Sequence, residues 1–223
     1  MDIPVCGSTA RIVRNDDGLY EGNLRYYFRY LFNQAKNLGL PYHNFQHMIH
    51  VMVMCHAACM YYRDRLTPRQ IRNILIAAML HDLDHSGMPG HDDLNIERAI
   101  RGLESCLLPE DKDHAADIFA ILRATQFPHV GSSESLPLQM RIIRDADLTQ
   151  SFSYVWIQSN IFGLSREHGI SPIEMLHRQI PFLEGIEFHT EWAKTNYPRS
   201  VIESKIAEVR DLLELLEYNP TSI

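Results

Sequence analysis

The sequence predicts an all-α protein, on three observations. Apolar residues recur three and four positions apart along most of the chain, helix-start signatures stand at the head of several such stretches, and strand-like alternation is nearly absent. Residues 1–20 carry little patterning and read as an N-terminal arm ahead of a single domain over 21–223. From Glu21 to Leu38 the residues Leu24, Tyr27, Phe28, Leu31 and Phe32 fall on helical spacing, and Gly39 and Pro41 end that helix. A second helix is expected from about Asn44 to Arg63. Thr67-Pro68-Arg69-Gln70 opens a third: threonine caps, proline suits the first helical position, and glutamine closes a capping box. Its core face, Ile71, Leu75, Ala78 and Met79, delivers His81 and Asp82 at the helix end, and a Gly/Pro-rich loop follows from Ser86 to Gly90. Further helices are expected at about 93–106, 113–126, 138–147, 150–166 and 172–190. The last of these begins on Ser171-Pro172-Ile173-Glu174, a second capping box with proline inside. Ser200 and Glu203 open a final helix, with Ile206, Val209, Leu212, Leu213 and Leu216 on its apolar face.

A chain of 223 residues with 45% hydrophobic content can build one domain around a full core. The net charge of −7 argues against a nucleic-acid partner, and an acidic protein that handles phosphates needs a local source of positive charge such as metal ions. The four cysteines form no CxxC pair, and Cys55 and Cys59 share a helical face, which points to a reduced, cytoplasmic protein. No apolar run is long enough to span a bilayer, and MDIPVCGSTARIVRNDDG does not read as a signal peptide, so no membrane partner is expected. Oligomeric state is left open.

Histidine is abundant and clustered. His43, His47 and His50 lie before and within one helix, and His81, Asp82, Asp84 and His85 lie at the end of the next. A lone histidine on an apolar helix is ordinarily a satisfied core or surface residue. An adjacent His-Asp pair at a helix end is different: it puts an imidazole and a carboxylate in reach of one metal, and the second carboxylate oxygen can bridge to another. His47 from the preceding helix and an aspartate from a later one would complete the set. Such nitrogen/oxygen mixtures suit Zn, Mn, Fe or Mg.

Tyr42-His43-Asn44-Phe45-Gln46-His47 resembles the YHNxxH signature of class I cyclic nucleotide phosphodiesterases, a branch of the HD-type metal-dependent phosphohydrolases. His81-Asp82-Leu83-Asp84-His85-Ser86-Gly87 is similar to their HDxDHxG, and Asp145-Ala146-Asp147-Leu148-Thr149 to their ADLS segment, in the family's order. The resemblance implies that His47, His81, Asp82 and Asp147 hold a tightly bound zinc or iron. It implies that Asp82 bridges to a second metal, magnesium or manganese. It makes His43 the general acid for the leaving 3′ oxygen, with Asn44 or a nearby carboxylate to orient it, and His85 a residue that holds metal-bound water. Asp145 is the rival for the fourth ligand position. It falls on another helical face and is expected to make a structural hydrogen bond.

Two weaker matches extend the resemblance. Ala124-Thr125-Gln126-Phe127-Pro128-His129 is similar to an ATDMxxH stretch, which would give Thr125 a water on the second metal. Gln179-Ile180-Pro181-Phe182 resembles the QxGFI base clamp, so Gln179 would bond a purine and Phe182 stack on it, in a pocket lined by Ile173 to Phe182. Gly90 departs from the family's usual asparagine, and Asn95 or Glu97 is expected to take over the supporting role of that side chain. The resemblance runs over roughly residues 40 to 195, with a short Asp147-to-Gln179 segment and no regulatory domain ahead of the core. The chain reads as a minimal, microbial relative.

The implied reaction is hydrolysis of a 3′,5′-cyclic purine nucleotide to the 5′-monophosphate by a metal-bridging hydroxide attacking in line. Two other readings compete: an HD phosphohydrolase of nucleotide monoesters or other phosphoesters, and, from a different class, a di-iron oxygenase or a metal-stabilised nucleotide sensor. His43 argues against the sensor, since binding alone needs no proton donor.

Overall fold

The computed structural model describes residues 8–90, 92–128 and 135–217, and they form helices with no strand among them. In chain order these are α1 (Thr9–Arg14), α2 (Arg25–Gln34), α3 (Phe45–Tyr61), α4 (Pro68–Leu80), α5 (Asp92–Cys106), α6 (Pro109–Lys112), α7 (Ala115–Arg123) and α8 (Leu138–Leu148). A 3₁₀ turn (Thr149–Phe152) and a wide π-type turn (Ile157–Gly163) lead to α9 (Leu164–His168), α10 (Pro172–Glu184), α11 (Glu191–Asn196) and α12 (Arg199–Glu217).

The centre is α4. Every residue from Ile71 to Leu80 is buried, so this helix has no solvent face, and α2, α3, α7 and α8 pack around it. Its capping box forms as the sequence predicts: Thr67 Oγ1 accepts from Gln70 N at 3.2 Å, and Gln70 Oε1 accepts from Thr67 N at 2.9 Å. Full burial brings Arg72 inside. Its guanidinium donates to both oxygens of Asp111 at 2.7 Å, and to the carbonyls of Glu21 and Asn23 at 3.0 and 2.8 Å. Tyr27 Oη and Arg69 Nη1 complete the Asp111 shell at 2.7 Å. A buried ion pair is tolerable when its remaining hydrogen-bonding groups are also satisfied.

Three expected elements differ. The stretch 8–20 is no loose arm: Ser8 caps α1, and Ile12, Val13 and Tyr20 are buried in the common core; Cys6 lies outside the described residues. The helix expected over 150–166 is broken at Ser153, which is extended, and resumes as the π-type turn and α9. The helix expected over 172–190 stops at Glu184 before Gly185, and Thr190 starts α11 by accepting from Ala193 N at 3.1 Å. The apolar face of α12 packs on α10 and buries Ile202, Ile206, Val209 and Leu213, while Leu216 stays exposed. Among the described residues no helix is long and apolar enough to cross a membrane.

Candidate active site

Two helix ends meet at the site. Asn44 Oδ1 caps α3 by accepting from Gln46 N (2.9 Å) and His47 N (3.2 Å), while its Nδ2 donates to Leu40 O (2.9 Å). Its amide is thereby committed to the helix start, which places His47 in the first turn. At the other end of the core, His81 and Asp82 follow the last residue of α4. His81 Nδ1 donates to Ala78 O at 2.9 Å, so the Nε2 lone pair faces outward from the helix end.

Three residues, His47, His81 and Asp82, offer ligand-type atoms that all lie within 4.8 Å of one another, and Asp147 Oδ1 lies beside the two imidazoles. His81 Nε2 lies 3.3 Å from His47 Nε2, 3.1 Å from Asp82 Oδ2 and 3.6 Å from Asp147 Oδ1. His47 Nε2 lies 3.4 Å from Asp82 Oδ2 and 3.1 Å from Asp147 Oδ1. A metal bound at about 2.0–2.2 Å by nitrogen and oxygen sets its ligands about 3 to 3.5 Å apart, so the spacing among His47, His81 and Asp82 fits a divalent cation. The donor chemistry agrees. With the His81 proton on Nδ1, Nε2 and the buried Asp82 Oδ2 are two acceptors facing each other, and Asp82 Oδ2 has no hydrogen-bond partner among the described residues. A cation reconciles them; without one, an extra proton must. Burial opposes charging of His81, yet Asp82 and Asp147 hold its pKa up at about 9. Burial likewise opposes charging of Asp82, but His81 and His43 keep it well below the usual carboxylate range.

Asp145 points elsewhere. It is buried and accepts from the backbone N–H of His189 (3.0 Å) and Thr190 (2.7 Å), the structural bonding expected of it.

Above this cluster stands His43, on the loop before α3. Its Nδ1 lies 2.5 Å from Glu167 Oε2, and Glu167 Oε1 accepts from the N–H groups of Tyr42 (2.6 Å) and His43 (3.0 Å). The ring stacks on His85 with centroids 3.7 Å apart and 18° between planes. His43, His85 and Glu167 thus also form a compact group of ligand-type atoms, in which Glu167 and His85 already have partners. Glu167 is hydrogen-bonded to His43, and the His85 nitrogens face Gly87 N (2.9 Å) and Asn95 Nδ2 (2.8 Å). Burial and the neighbouring His43 push His85 down to about 4, so it is neutral. For His43 itself burial favours the neutral ring, but Asp82 and Glu167 outweigh it and raise the pKa.

Sequence reasoning missed Glu167, 124 positions from His43 in an ordinary helical stretch. It also missed Asn37. That buried amide donates to His43 O (2.7 Å) and Asp82 O (2.8 Å) and accepts from Asp84 N (3.0 Å), locking the two histidine-rich loops together.

A cavity of about 360 Å³ opens over the cluster, within the size range of small-molecule sites. Gln179 and Phe182 from α10 line it, as do Thr125 and Phe127. Gln179 is 4% exposed; its Nε2 has a weak contact to Met175 Sδ at 3.7 Å, and its Oε1 has no partner among the described residues. Phe182 meets Phe127 edge-on, centroids 6.0 Å apart. Thr125 Oγ1 donates to Leu122 O at 2.8 Å, and His129, the last residue of that motif, lies outside the described residues. Asn95 supports the site, accepting from Ser86 N at 3.0 Å as well as facing His85, whereas Glu97 pairs with Arg123 at the surface.

A family model described as 3′5′-cyclic nucleotide phosphodiesterase matches residues 42–158, more than half of the chain and the stretch from His43 through Asp147. No curated protein matches the chain.

Proposed function

The chain belongs to the 3′,5′-cyclic nucleotide phosphodiesterase family, a family of metal-dependent hydrolases, and from that premise we propose that it converts a purine 3′,5′-cyclic nucleotide to the 5′-monophosphate. The observation that carries the reading is the convergence of His47, His81, Asp82 and Asp147 directly beneath the His43–Glu167 pair at the floor of one cavity.

Those four residues would hold the tight metal, zinc or iron, with Asp82 reaching a second ion, magnesium or manganese. Bound metals at such a site lower the pKa of water towards about 7 and neutralise the phosphoryl oxygens. The chain's own part is the proton. Glu167 accepts the Nδ1–H of His43, which fixes the ring and directs Nε2–H at the departing 3′ oxygen. Although burial opposes it, Asp82 and Glu167 raise the pKa of that imidazole and so favour its charged form, and His85 stacks on its face. A positioned acid of this kind contributes typically about 10²–10⁴ in rate. Thr125 would hold water near the second metal. Gln179 would bond the purine edge with Phe182 against its face, a small-molecule site with no nucleic-acid or membrane partner. Residues 21–223 act as one catalytic domain, with the 8–20 stretch packed on the same core.

The test is to load the protein with zinc plus magnesium or manganese and offer it cyclic mononucleotides, cyclic dinucleotides and nucleotide monophosphates. Release of a 5′-monophosphate from a cyclic purine mononucleotide is expected. Turnover confined to monoesters would make it a phosphomonoesterase, and turnover that needs iron and oxygen would make it an oxygenase.

A further inference from the structure

Asn37 stands in the turn after α2, 2% exposed, with its carboxamide between the His43 loop and the loop that follows α4. One nitrogen serves both loops. Nδ2 donates to His43 O at 2.7 Å and to Asp82 O at 2.8 Å, while Oδ1 accepts from Asp84 N at 3.0 Å. All three partners are backbone groups of fixed sense, two carbonyls and one N–H. A turned amide would set oxygen against oxygen, so the chemistry allows one orientation. Asp84 has φ +60°, a conformation that a residue with a side chain seldom holds without support, and Lys36 N adds a bond to its Oδ1 at 2.8 Å.

His43 therefore has two anchors. Glu167 ties its ring and its N–H to α9. Asn37 ties its carbonyl to that of Asp82, the residue proposed to bridge the metals. The stacked His85 ring also comes from the Asp82 side, but a stack tolerates sliding in its plane, where a hydrogen bond to a carbonyl constrains length and direction. Glu167 alone would orient the donor without fixing its distance from Asp82. We propose that Asn37 is a positioning residue that sets the separation of the His43 proton donor from Asp82, and through it the protonation of the leaving oxygen. Proton transfer needs donor and acceptor within about 3 Å, and an error of about 1 Å in such a placement costs about 10²-fold in rate. The proposal rests on the roles given to His43 and Asp82 above.

The experiment measures kcat and KM in the full chain loaded with zinc and magnesium. The substrates are the purine cyclic nucleotide it turns over faster and bis-nitrophenyl phosphate, whose leaving group needs little protonation. Wild type, Asn37→Ala, Asn37→Ser, His43→Ala and the Asn37→Ala/His43→Ala double variant are compared, with zinc content and melting temperature read alongside. Asn37→Ala should lower kcat on the cyclic nucleotide by about 10²-fold. Its KM, and kcat on the nitrophenyl ester, should stay within about threefold of wild type, with zinc retained. Asn37→Ser keeps one donor and should fall between. With His43 already gone, Asn37→Ala should cost less than about threefold more, because it acts through that residue. The ratio of the two substrates cancels losses from partly unfolded protein. Equal losses on the two esters, loss of zinc, or additive losses in the double variant would make Asn37 a support of the fold alone. If Asn37→Ala does not fold, Asn37→Ser is judged by the same criteria, and failure of both to fold overturns the proposal. A wild type that cleaves bis-nitrophenyl phosphate but neither cyclic AMP nor cyclic GMP overturns the substrate reading and this proposal with it.

Discussion

His81 gives its Nδ1 proton to a backbone carbonyl, so Nε2 can serve only a cation or a second proton. Its pKa, about 9 against an ordinary value near 6.5, is held up by Asp82 and Asp147 in spite of burial. In the metal-free protein the charged ring's contribution to stability is therefore fully present below about pH 6.5 and is lost as pH rises through about 9. A metal bound at Nε2 must displace that proton, so affinity for zinc should climb with pH across this window. Competition with a chelator at several pH values measures it, and a flat profile would count against Nε2 ligation. His81→Ala should remove tight binding and hydrolysis together.

The His43–Glu167 pair carries a second prediction at the same scale. His43→Ala should slow a cyclic nucleotide, a poor leaving group, by about 10²–10⁴ and affect a nitrophenyl ester far less. Glu167→Gln removes a charge that raises the His43 pKa, so the alkaline limb of the pH–rate profile should move to lower pH. Equal losses on both esters would argue that His43 is a ligand instead. The proposed ligands and the proposed proton donor could be picked out in the sequence because each sits in a short motif at a helix boundary. Glu167 was not, because nothing local distinguishes a surface-type glutamate in Leu-Ser-Arg-Glu-His from one that folds back onto a distant loop.

Among the elements, α9 and the turn before it decide whether Glu167 arrives. Gly163 lies against the His43 loop so closely that a Cβ there would stand 2.8 Å from Pro41 O and 3.3 Å from Tyr42 Cβ. Both neighbours are backbone or near it and cannot yield cheaply, so glycine is what permits the approach. Gly163→Ala should therefore push α9 outward and lengthen the Glu167–His43 contact. Activity on a cyclic nucleotide is expected to fall about tenfold or more, with zinc content retained because no proposed ligand moves. Loss of zinc in this variant would show that the loop and the metal cluster are not separable. Elsewhere α4 and α10 start where their caps put them, since those signals act within one turn. Glu174 pairs with Arg178 instead of closing the second box, and α12 begins at Arg199, ahead of the expected start at Ser200. The stretch 150–166 did not form as expected, because its path follows contacts with the His43 loop rather than its own periodicity.

For the molecule as a whole, two tertiary devices hold the bundle around α4. One is the Arg72–Asp111 pair, with every strong bond satisfied. Arg72→Leu leaves a buried carboxylate short of its main partner and should cost about 3–5 kcal/mol in denaturant unfolding. A cost under about 1 kcal/mol would mean water reaches Asp111. The other would be a metal held by the proposed ligands, which come from α3, α8 and the end of α4. Chelating the metal should lower the melting temperature, and saturating zinc at about a thousand times its Kd should restore about 4 kcal/mol.

The sequence by itself determined the helical class, the caps that start α4 and α10, and the motifs that carry His43, His47, His81, Asp82 and Asp147. All of these rest on neighbours within a turn or two, where spacing dictates geometry. The tertiary structure decided what those motifs are built against. It brought Asn37 between two loops, Glu167 onto His43 and Asn160 into the cavity wall, and it turned residues 8–20 into core. Each of these contacts joins segments distant along the chain. They form because burial of the apolar faces around α4 fixes where the segments meet, and hydrogen bonds then select among the polar groups that arrive.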